Sequence, residues 1–296
     1  MENLTECLVC GNNKFALELT CKDYVASGET FNLLRCTNCS FLFTNPRPTE
    51  AEIGKYYQSN RYISHAGDKQ NLSFIYKIYD WVRDYSIGKK IQLIKKYHTS
   101  GNLMDLGCGL GYFLNGVIQD KTFNAIGVDV SEDAIKFVQS KFGHAVKNEN
   151  ELDSIQPASM NVITQWHVLE HVHNLSNRMK QLKKILHADG TMFIAVPNSD
   201  SWDAKHYKEF WDAYDVPRHL YHFNTKSFNL LMNKYGFKVV AIKSMPFDAP
   251  YISMRSELNK GNSMEFLRGA VSGFQSSISA FKNNEHSSFM FIVKHV

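Results

Sequence analysis

The sequence predicts a doubly wound α/β fold with a parallel sheet, preceded by a small cysteine-rich domain. Three observations support this prediction. From residue 103 onward, short apolar runs alternate with segments of helical periodicity, as in successive βαβ units. The first of these runs contains an acid and leads into three alternate glycines, Gly107, Gly109 and Gly111. Near the N-terminus, four of the six cysteines form two pairs, each with two residues between the thiols.

Length and composition are those of an ordinary globular protein. The chain has 296 residues, of which 44% are hydrophobic and 21% charged, and this is enough to bury the core of one large domain or two unequal ones. No apolar stretch approaches the ~20 residues of a membrane-spanning helix. Residues 1–10 lack the basic start and apolar run of a secretory signal. We therefore expect no membrane association and a cytoplasmic location.

The cysteine pairs predict a structural zinc site. Two tight turns of this kind supply the tetrahedral set of four thiolates that Zn²⁺ prefers, and a closed set leaves no open position for catalysis. Residues 15–20 and 31–35, both between the pairs, are predicted to form short strands, so residues 1–48 are predicted to form a zinc ribbon. The four expected zinc ligands are Cys7, Cys10, Cys36 and Cys39.

Residues 49–98 are predicted to form a linker followed by amphipathic lid helices. Tyr62 and His65 belong to an aromatic-rich stretch that we expect either to pack between domains or to close over a ligand. Between residues 72 and 97, apolar residues recur near the helical period. The other face carries six basic and two acidic side chains over residues 77–96. Such a run is usually a solvated helix face, so it does not by itself indicate an anion-binding surface.

Residues 99–296 are predicted to form the parallel sheet and the helices that cover it. Strands are expected at residues 103–106, 125–128, 145–146, 161–164 and 191–196, with helices at 112–119, 131–143 and 175–187. A further helix at 225–236 precedes two strands, at 237–243 and 289–293, that we expect to form an antiparallel hairpin at one edge. Ligands of such sheets bind beyond the carboxyl ends of the strands. The glycine turn and the acid after the second strand both fall there.

The residues at this edge favour a particular kind of ligand. Asp129, at the end of the second strand, is placed to accept hydrogen bonds from both hydroxyls of a ribose. The glycine spacing, Gly-x-Gly-x-Gly, differs from the dinucleotide pattern Gly-x-Gly-x-x-Gly. Asp105 stands just before the turn, where it would repel a pyrophosphate and suit an ammonium group. The pattern therefore points away from a dinucleotide.

Six segments of the chain together resemble a known family. They are residues 105–111 (Asp-Leu-Gly-Cys-Gly-Leu-Gly), 127–131 (Gly-Val-Asp-Val-Ser), 166–172 (Trp-His-Val-Leu-Glu-His-Val), 182–190, 196–198 (Val-Pro-Asn) and 217–223 (Pro-Arg-His-Leu-Tyr-His-Phe). This combination is similar to that of the class I S-adenosylmethionine-dependent methyltransferases, especially the small-molecule branch that contains ubiquinone-biosynthesis O-methyltransferases. The resemblance implies a Rossmann-like seven-stranded sheet, S-adenosylmethionine as cofactor, and methyl transfer to a small-molecule or sugar-linked acceptor at an O-, N- or C-nucleophile.

The resemblance also implies which residues bind the cofactor. Gly107 and Gly109 would lie under the methionine part, Asp129 would hold the ribose, and residues 165–167 would border the sulfonium. The pair after the third strand would flank the adenine. The complete set of expected cofactor-binding residues is Asp105, Gly107, Cys108, Gly109, Gly111, Tyr112, Phe113, Asp129, Val130, Asn148, Glu149, Gln165, Trp166, His167, Tyr62 and His65.

A histidine-rich segment after the fifth strand is the expected acceptor site. Residues 215–223 gather an acid, a guanidinium and two imidazoles in a proline-containing loop. An acceptor that must lose a proton benefits from a base with a pKa near neutral, and histidine is the usual choice. We therefore expect His219 or His222 to be the general base and Arg218 to orient an anionic acceptor. No catalytic metal is expected, because no carboxylate stands at clear ligand spacing from the histidines of residues 167–173.

A cysteine ribbon ahead of such a domain also resembles certain sugar C-methyltransferases and a group of ribosomal RNA guanine methyltransferases. Residues 1–50 carry six acidic and four basic side chains, and a four-thiolate zinc centre adds negative charge, so this ribbon is a poor phosphate binder. We therefore favour a small-molecule acceptor over nucleic acid. Two alternatives stay open: an RNA methyltransferase whose ribbon contacts nucleic acid, and a non-catalytic cofactor-binding protein that holds a partner. The sequence does not indicate an oligomeric state.

Overall fold

The computed structural model of the chain describes residues 1–58, 73–245, 247–262 and 265–296. Within these ranges the strands are β1 (Phe15–Lys22), β2 (Thr30–Cys36), β3 (Leu42–Thr44), β4 (Gly101–Leu106), β5 (Phe123–Asp129), β6 (Val146–Asn148), β7 (Met160–Trp166), β8 (Leu186–Pro197), β9 (Tyr221–His222), β10 (Phe237–Ser244) and β11 (Ser288–His295). The helices are α1 (Ser73–Ile94), α2 (Tyr112–Asp120), α3 (Glu132–Phe142), α4 (Leu175–Ile185), α5 (Trp202–Tyr207), α6 (Thr225–Lys234), α7 (Asp248–Asn259) and α8 (Glu265–Asn283).

Seven strands form the main sheet, in the order β10-β11-β8-β7-β4-β5-β6. The strands from β6 to β8 pair in parallel, whereas β11 runs antiparallel to both of its neighbours. The strand order reverses at β4, which lies between β5 and β7, so the carboxyl ends of these three strands border a crevice. The predicted doubly wound, seven-stranded α/β fold is confirmed. The antiparallel edge pair is also present, but helices α7 and α8 separate its two strands.

Local sequence signals explain the elements that surround the crevice. Ser131 caps α3 by accepting a hydrogen bond from the backbone N–H of Ala134, and Gly143 ends that helix with a φ of 69°. Both positions agree with the expected bounds. Helix α4 is two residues shorter than expected because β8 already begins at Leu186, which pairs with Met160 of β7.

Helices α7 and α8, which the sequence pattern does not reveal, form a closely packed hairpin. A Cβ atom on Gly269 would lie 2.4 Å from the Cα of Met254, and one on Gly273 would lie 2.6 Å from the Cα of Pro250. Only glycines at these positions let the backbone of α8 approach that of α7. Among the described residues, no helix combines the length and apolarity needed to cross a membrane.

A second sheet joins the N-terminal ribbon (residues 1–48) to the rest of the chain. Its strand order is β1-β2-β3-β9, and β9 belongs to the histidine-rich segment that was expected to be a loop. Leu42 pairs with His222, and Phe43 pairs with Tyr221. Phe43 shares one hydrophobic core with Leu106 of the main sheet. The ribbon is therefore packed into the protein; the domain boundaries at residues 48 and 98 stay predictions.

Candidate functional site

The glycine turn after β4 is held by one carboxylate. Asp129 accepts hydrogen bonds from the backbone N–H of Gly109 at 2.7 Å and of Ser131 at 2.9 Å. Gly107 and Gly109 have φ angles of 75° and 51°. A Cβ on Gly107 would meet Cγ2 of Val168 at 2.4 Å, whereas a Cβ on Gly109 would have nothing within 4 Å. The turn is closed by protein at Gly107 and open at Gly109, where a ligand can lie on the main chain.

Asp105 lies almost completely buried beside this turn. Its Oδ1 accepts a hydrogen bond from Oγ1 of Thr164 at 2.7 Å. Its Oδ2 has no hydrogen-bond partner in the part of the chain that the structure describes. Burial raises the pKa of Asp105 to about 7. An orphaned, buried carboxylate oxygen of this kind fits a cationic group such as the ammonium of a methionine moiety.

The end of β7 contributes two further buried polar groups without partners. The side-chain amide of Gln165 and the indole Nε1 of Trp166 make no hydrogen bond to any described residue. Phe113 packs edge-on against the Trp166 ring at a centroid distance of 5.1 Å. The Nζ of Lys90, in α1, lies 4.0 Å from the centre of the same ring. The crevice therefore offers unpaired polar atoms and a cation at one end.

Lys90 is a site residue that the sequence did not reveal. It lies in the basic run of α1, for which the sequence predicts a solvated face, and burial lowers the pKa of its ammonium group. Asp105 and Asp248 oppose this shift electrostatically. Only the packing of α1 onto the sheet, where Ile91 and Ile94 share a core with Leu103, distinguishes Lys90 from the other lysines of the run.

His167 bridges two carboxylates. Its Nδ1 lies 3.3 Å from Oε1 of Glu170, and its Nε2 donates to Oδ2 of Asp248 at 3.2 Å. Burial by itself would lower the pKa of His167, but the two flanking carboxylates outweigh it and raise the pKa to about 10. The φ of His167 is 58°, which is uncommon for a residue with a side chain. This ring is therefore a fixed cation at neutral pH and a poor base.

A cluster of proton-binding groups lies beyond His167. Glu170 is fully buried and, apart from its ion pair with His167, neither of its carboxylate oxygens has a hydrogen-bond partner among the described residues. The rings of His171 and His219 meet edge to face at a centroid distance of 4.6 Å. Ligand atoms of Glu170, His171 and His219 lie within 4.8 Å of one another. Burial lowers the pKa of His171 to about 4, so this ring is neutral.

Two residues expected to contact the acceptor are instead engaged by the protein. Arg218 is 1% exposed, and all three of its nitrogens donate, to Asp23, to Asp215 and to the carbonyl of Tyr56. His222 is buried, its Nε2 lies 3.1 Å from a threonine hydroxyl, and burial lowers its pKa well below the usual value. This geometry favours structural roles for both residues. Of the two histidines proposed as the base, His219 is then the one that belongs to the cluster with Glu170 and His171.

The pair expected beside the adenine lies at the same edge of the sheet. Asn148 is the register partner of Asp129. Its side chain caps a short 3-10 helix, Glu149–Ser154, by accepting a hydrogen bond from the backbone N–H of Asn150. Glu149 forms an ion pair with Arg178. Both side chains therefore have roles within the protein, and Asn148 also lies beside Asp129.

The other expected cofactor residues that the structure describes lie in the turn or follow it and β5 in the chain. Gly111 precedes α2 with a φ of 70°, and the Tyr112 hydroxyl accepts a hydrogen bond from Lys141. Cys108 is half-buried, and burial raises the pKa of its thiol. Val130 is 70% exposed. Tyr62 and His65 lie outside the described residues. The binding roles of these side chains stay predictions.

The four ribbon cysteines meet as predicted. Sγ of Cys7 lies 3.5 Å from Sγ of Cys39, and Sγ of Cys10 lies 3.6 Å from Sγ of Cys36. These separations are close to the ~3.8 Å expected between ligands of a tetrahedral zinc with Zn–S bonds of about 2.3 Å. The side-chain amide of Asn12 also approaches Cys36 Sγ, at 3.5 Å, as an outer hydrogen bond to a metal-bound thiolate does. The donor set fits structural zinc.

Residues 80–242 match a protein family described as a methyltransferase domain, and this segment is more than half of the chain. The chain belongs to this family. The resemblance to class I methyltransferases is thereby confirmed. A solved S-adenosylmethionine-dependent methyltransferase from Archaeoglobus fulgidus has the same fold, with a TM-score of 0.50, 20% identity, and coverage of 72% of this chain and 94% of that one.

Curated relatives agree with the family. A ubiquinone biosynthesis O-methyltransferase of Idiomarina loihiensis is 29% identical over 121 residues, which is 36% of this chain and 48% of that protein. A probable S-adenosylmethionine-dependent methyltransferase of Mycobacterium tuberculosis is 24% identical over 102 residues, 34% of this chain and 37% of that one. The chain thus spans about half or less of the length of these relatives. An uncharacterized protein of Methanocaldococcus jannaschii is 23% identical over 194 residues, 65% of this chain and 88% of that protein.

Proposed function

We propose that this protein transfers the methyl group of S-adenosylmethionine to a small-molecule or sugar-linked acceptor, at an O-, N- or C-nucleophile. One observation carries the proposal: the orphaned buried polar atoms of Asp105, Gln165 and Trp166 line the carboxyl ends of β4 and β7 in a methyltransferase fold. A buried polar atom without a partner costs roughly 1–3 kcal/mol. A polar ligand in the crevice would satisfy all three.

The crevice has a residue suited to each polar part of this cofactor. In the proposal Asp129 binds the ribose hydroxyls, the free Oδ2 of Asp105 faces the ammonium group, and Lys90 attracts the carboxylate. The opening at Gly109 lets the ligand contact the main chain. When bound, S-adenosylmethionine supplies an electrophilic methyl group. The protein's remaining tasks are to aim the acceptor along one line, exclude water and take up a proton.

The acceptor side is the cluster of Glu170, His171 and His219. The Nδ1 of His219 donates to the carbonyl of Ala213 at 2.8 Å, which leaves the lone pair on Nε2 to accept a proton. His167 cannot do this, because it is already protonated at neutral pH. We therefore propose His219 as the general base. Glu170 stabilises the imidazolium that His219 becomes, because its buried carboxylate keeps a negative charge close by.

Two features support a small acceptor. Trp81, Tyr85 and Phe247 form an exposed aromatic rim beside α7, with centroid distances of 5.6 Å between the first two rings and 6.0 Å between the last two. Such rings can stack on a planar or sugar-containing molecule. The ribbon, in contrast, carries net negative charge and is packed against the acceptor side, which does not suit contact with phosphates.

The test is to incubate the protein with labelled S-adenosylmethionine and a cell metabolite extract, and to identify labelled products. We expect a labelled small molecule, and measurable binding of S-adenosylhomocysteine by calorimetry. His219→Ala should lose transfer and keep that binding. His187→Ala is the control, because His187 lies near the amino end of β8, away from the site.

Other outcomes would support the alternatives. Labelled RNA together with salt-dependent RNA affinity would identify an RNA methyltransferase. Binding of S-adenosylhomocysteine with no labelled product from any extract would indicate a non-catalytic protein. Absence of that binding would overturn the proposal as a whole.

A further inference from the structure

We propose that the ribbon is a positioning element of the acceptor site, in which Asp23 holds Arg218 and thereby fixes Asp215 against His219. The inference rests on the proposed function, because it takes His219 as the acceptor-side base. It assigns the ribbon a task within its own chain. The ribbon would then need no nucleic acid or protein partner to explain its presence.

Asp23 is oriented by its own turn. It lies between β1 and β2, is 1% exposed, and accepts hydrogen bonds from the backbone N–H groups of Val25, Ala26 and Ser27 at 2.8 to 3.1 Å. The hydroxyl of Ser27 donates to the same carboxylate. Among the described residues, one further donor reaches these oxygens, and it comes from outside the ribbon: Nη2 of Arg218 donates to Oδ1 at 3.0 Å. A carboxylate held so rigidly fixes the partner that it binds.

Arg218 passes this constraint to the histidine. Its Nε donates to both oxygens of Asp215 at 3.0 Å, and its Nη2 donates to Oδ1 at 2.6 Å. Oδ2 of Asp215 in turn lies 4.0 Å from Nε2 of His219. Asp215 thereby presents a carboxylate oxygen to the Nε2 edge of the His219 ring, the edge that takes up the proton in the proposed reaction. Asp23 therefore acts on His219 through Arg218 and Asp215.

The ribbon also holds the backbone of the histidine segment. Oγ1 of Thr44, in β3, donates to the carbonyl of His219 at 2.8 Å, and the backbone N–H of Thr44 donates to the carbonyl of Leu220 at 3.1 Å. Just after the ribbon, the hydroxyl of Tyr57 lies 3.0 Å from Nδ1 of His171. Side chain and main chain of the acceptor site are thus both braced by the N-terminal part of the chain.

The first test is Asp23→Asn, which keeps the size of the side chain and removes its charge. We expect unchanged zinc content and unchanged affinity for S-adenosylhomocysteine. The ring signals of His219 in ¹⁵N-histidine NMR, assigned with His219→Ala, should shift, and methyl transfer from labelled cofactor should fall roughly tenfold or more. The matched control is Glu18→Gln, which breaks a 2.8 Å ion pair with Arg35 elsewhere in the ribbon. It should change neither the ring signals nor transfer.

A second pair of variants covers the case in which Asp23→Asn loses zinc. Thr44→Val removes the hydroxyl bonded to the His219 carbonyl, and Thr44→Ser keeps it. We expect shifted His219 signals and slower transfer in the first and nearly unchanged values in the second. Unchanged His219 signals in both Asp23→Asn and Thr44→Val would overturn the proposal. Wild-type protein that binds no S-adenosylhomocysteine would refute the proposed function, while the ring signals still report on the bracing.

Discussion

His167 and Asp248 are joined by a hydrogen bond of 3.2 Å between Nε2 and Oδ2, although they are 81 positions apart in the chain. Asp248 is the first residue of α7, and His167 directly follows β7. With Glu170 on its other nitrogen, the protonated ring connects the cofactor edge of the sheet to the α7–α8 hairpin. The ion pair between His167 and Asp248 therefore holds the start of the hairpin at the site.

His167→Gln tests this connection. The replacement should destabilise the protein by about 2 kcal/mol at pH 7, because two carboxylates lose the cation between them. The pKa of His167 is raised to about 10, above the ~6.5 of an unfolded histidine. The stabilisation of the folded protein by protonated His167 is thus complete below about pH 6.5 and is lost as pH rises through about 10. Thermal unfolding of both proteins from pH 7 to 10.5 measures this, and a difference that does not shrink near pH 10 would contradict it.

Asp129→Ala tests the proposed ribose contact. The change should weaken S-adenosylhomocysteine binding by ~1–3 kcal/mol, since it removes the acceptor for two ligand hydroxyls and also releases the N–H of Gly109. Isothermal calorimetry measures the loss. Asp133→Ala, which removes an exposed carboxylate from the first turn of α3, is the control and should leave affinity unchanged. Equal affinities of the two variants would refute the assignment.

The protonation of Asp105 should depend on the cofactor. Its pKa of about 7 in the free protein lies above that of an unfolded aspartate, so its contribution to stability falls as pH rises from about 4 to about 7. A bound ammonium group would lower this pKa. Binding of S-adenosylhomocysteine should therefore release protons and strengthen from pH 6 to pH 8. Calorimetry in buffers of different ionisation enthalpy reports the protons, and Asp105→Asn should show much weaker pH dependence.

The ribbon should hold one zinc ion per chain. Cys39→Ser should abolish zinc binding and lower the melting temperature. Binding of a structural metal contributes directly to the free energy of folding, and the buried Cys39 belongs to the core that the ribbon shares with the main sheet. Cys21→Ser is the matched control, since Cys21 is buried in the ribbon outside the four-cysteine group. Of these two variants, only Cys21→Ser should contain zinc by elemental analysis. A second equivalent in wild-type protein would indicate an additional metal site.

The sequence predicted most of the sheet and little of the acceptor site. The capped helix α3, the glycine turn and the positions of the parallel strands along the chain depend on short-range patterns, and these were found close to where they were expected. Residues 215–223 were expected to form a loop that offers Arg218 to a ligand. The structure instead pairs part of this segment with β3 and buries Arg218 between two acids. The same residue types suit either arrangement, so the local pattern could not distinguish them.

Local sequence encodes the chemistry of groups that lie within a few residues of one another. The two cysteine pairs define a metal-binding donor set, and the run from Asp105 to Gly111 defines a strand, a turn and a cradle, because backbone geometry and side-chain spacing act locally. Contacts between distant groups depend instead on how the chain folds. Folding brings Lys90 to Trp166, Asp248 to His167 and Asp23 to Arg218. In each pairing, a contact with a residue far away in the chain offsets the cost of burying a charged group. The spacing of neighbouring residues carries no information about such contacts.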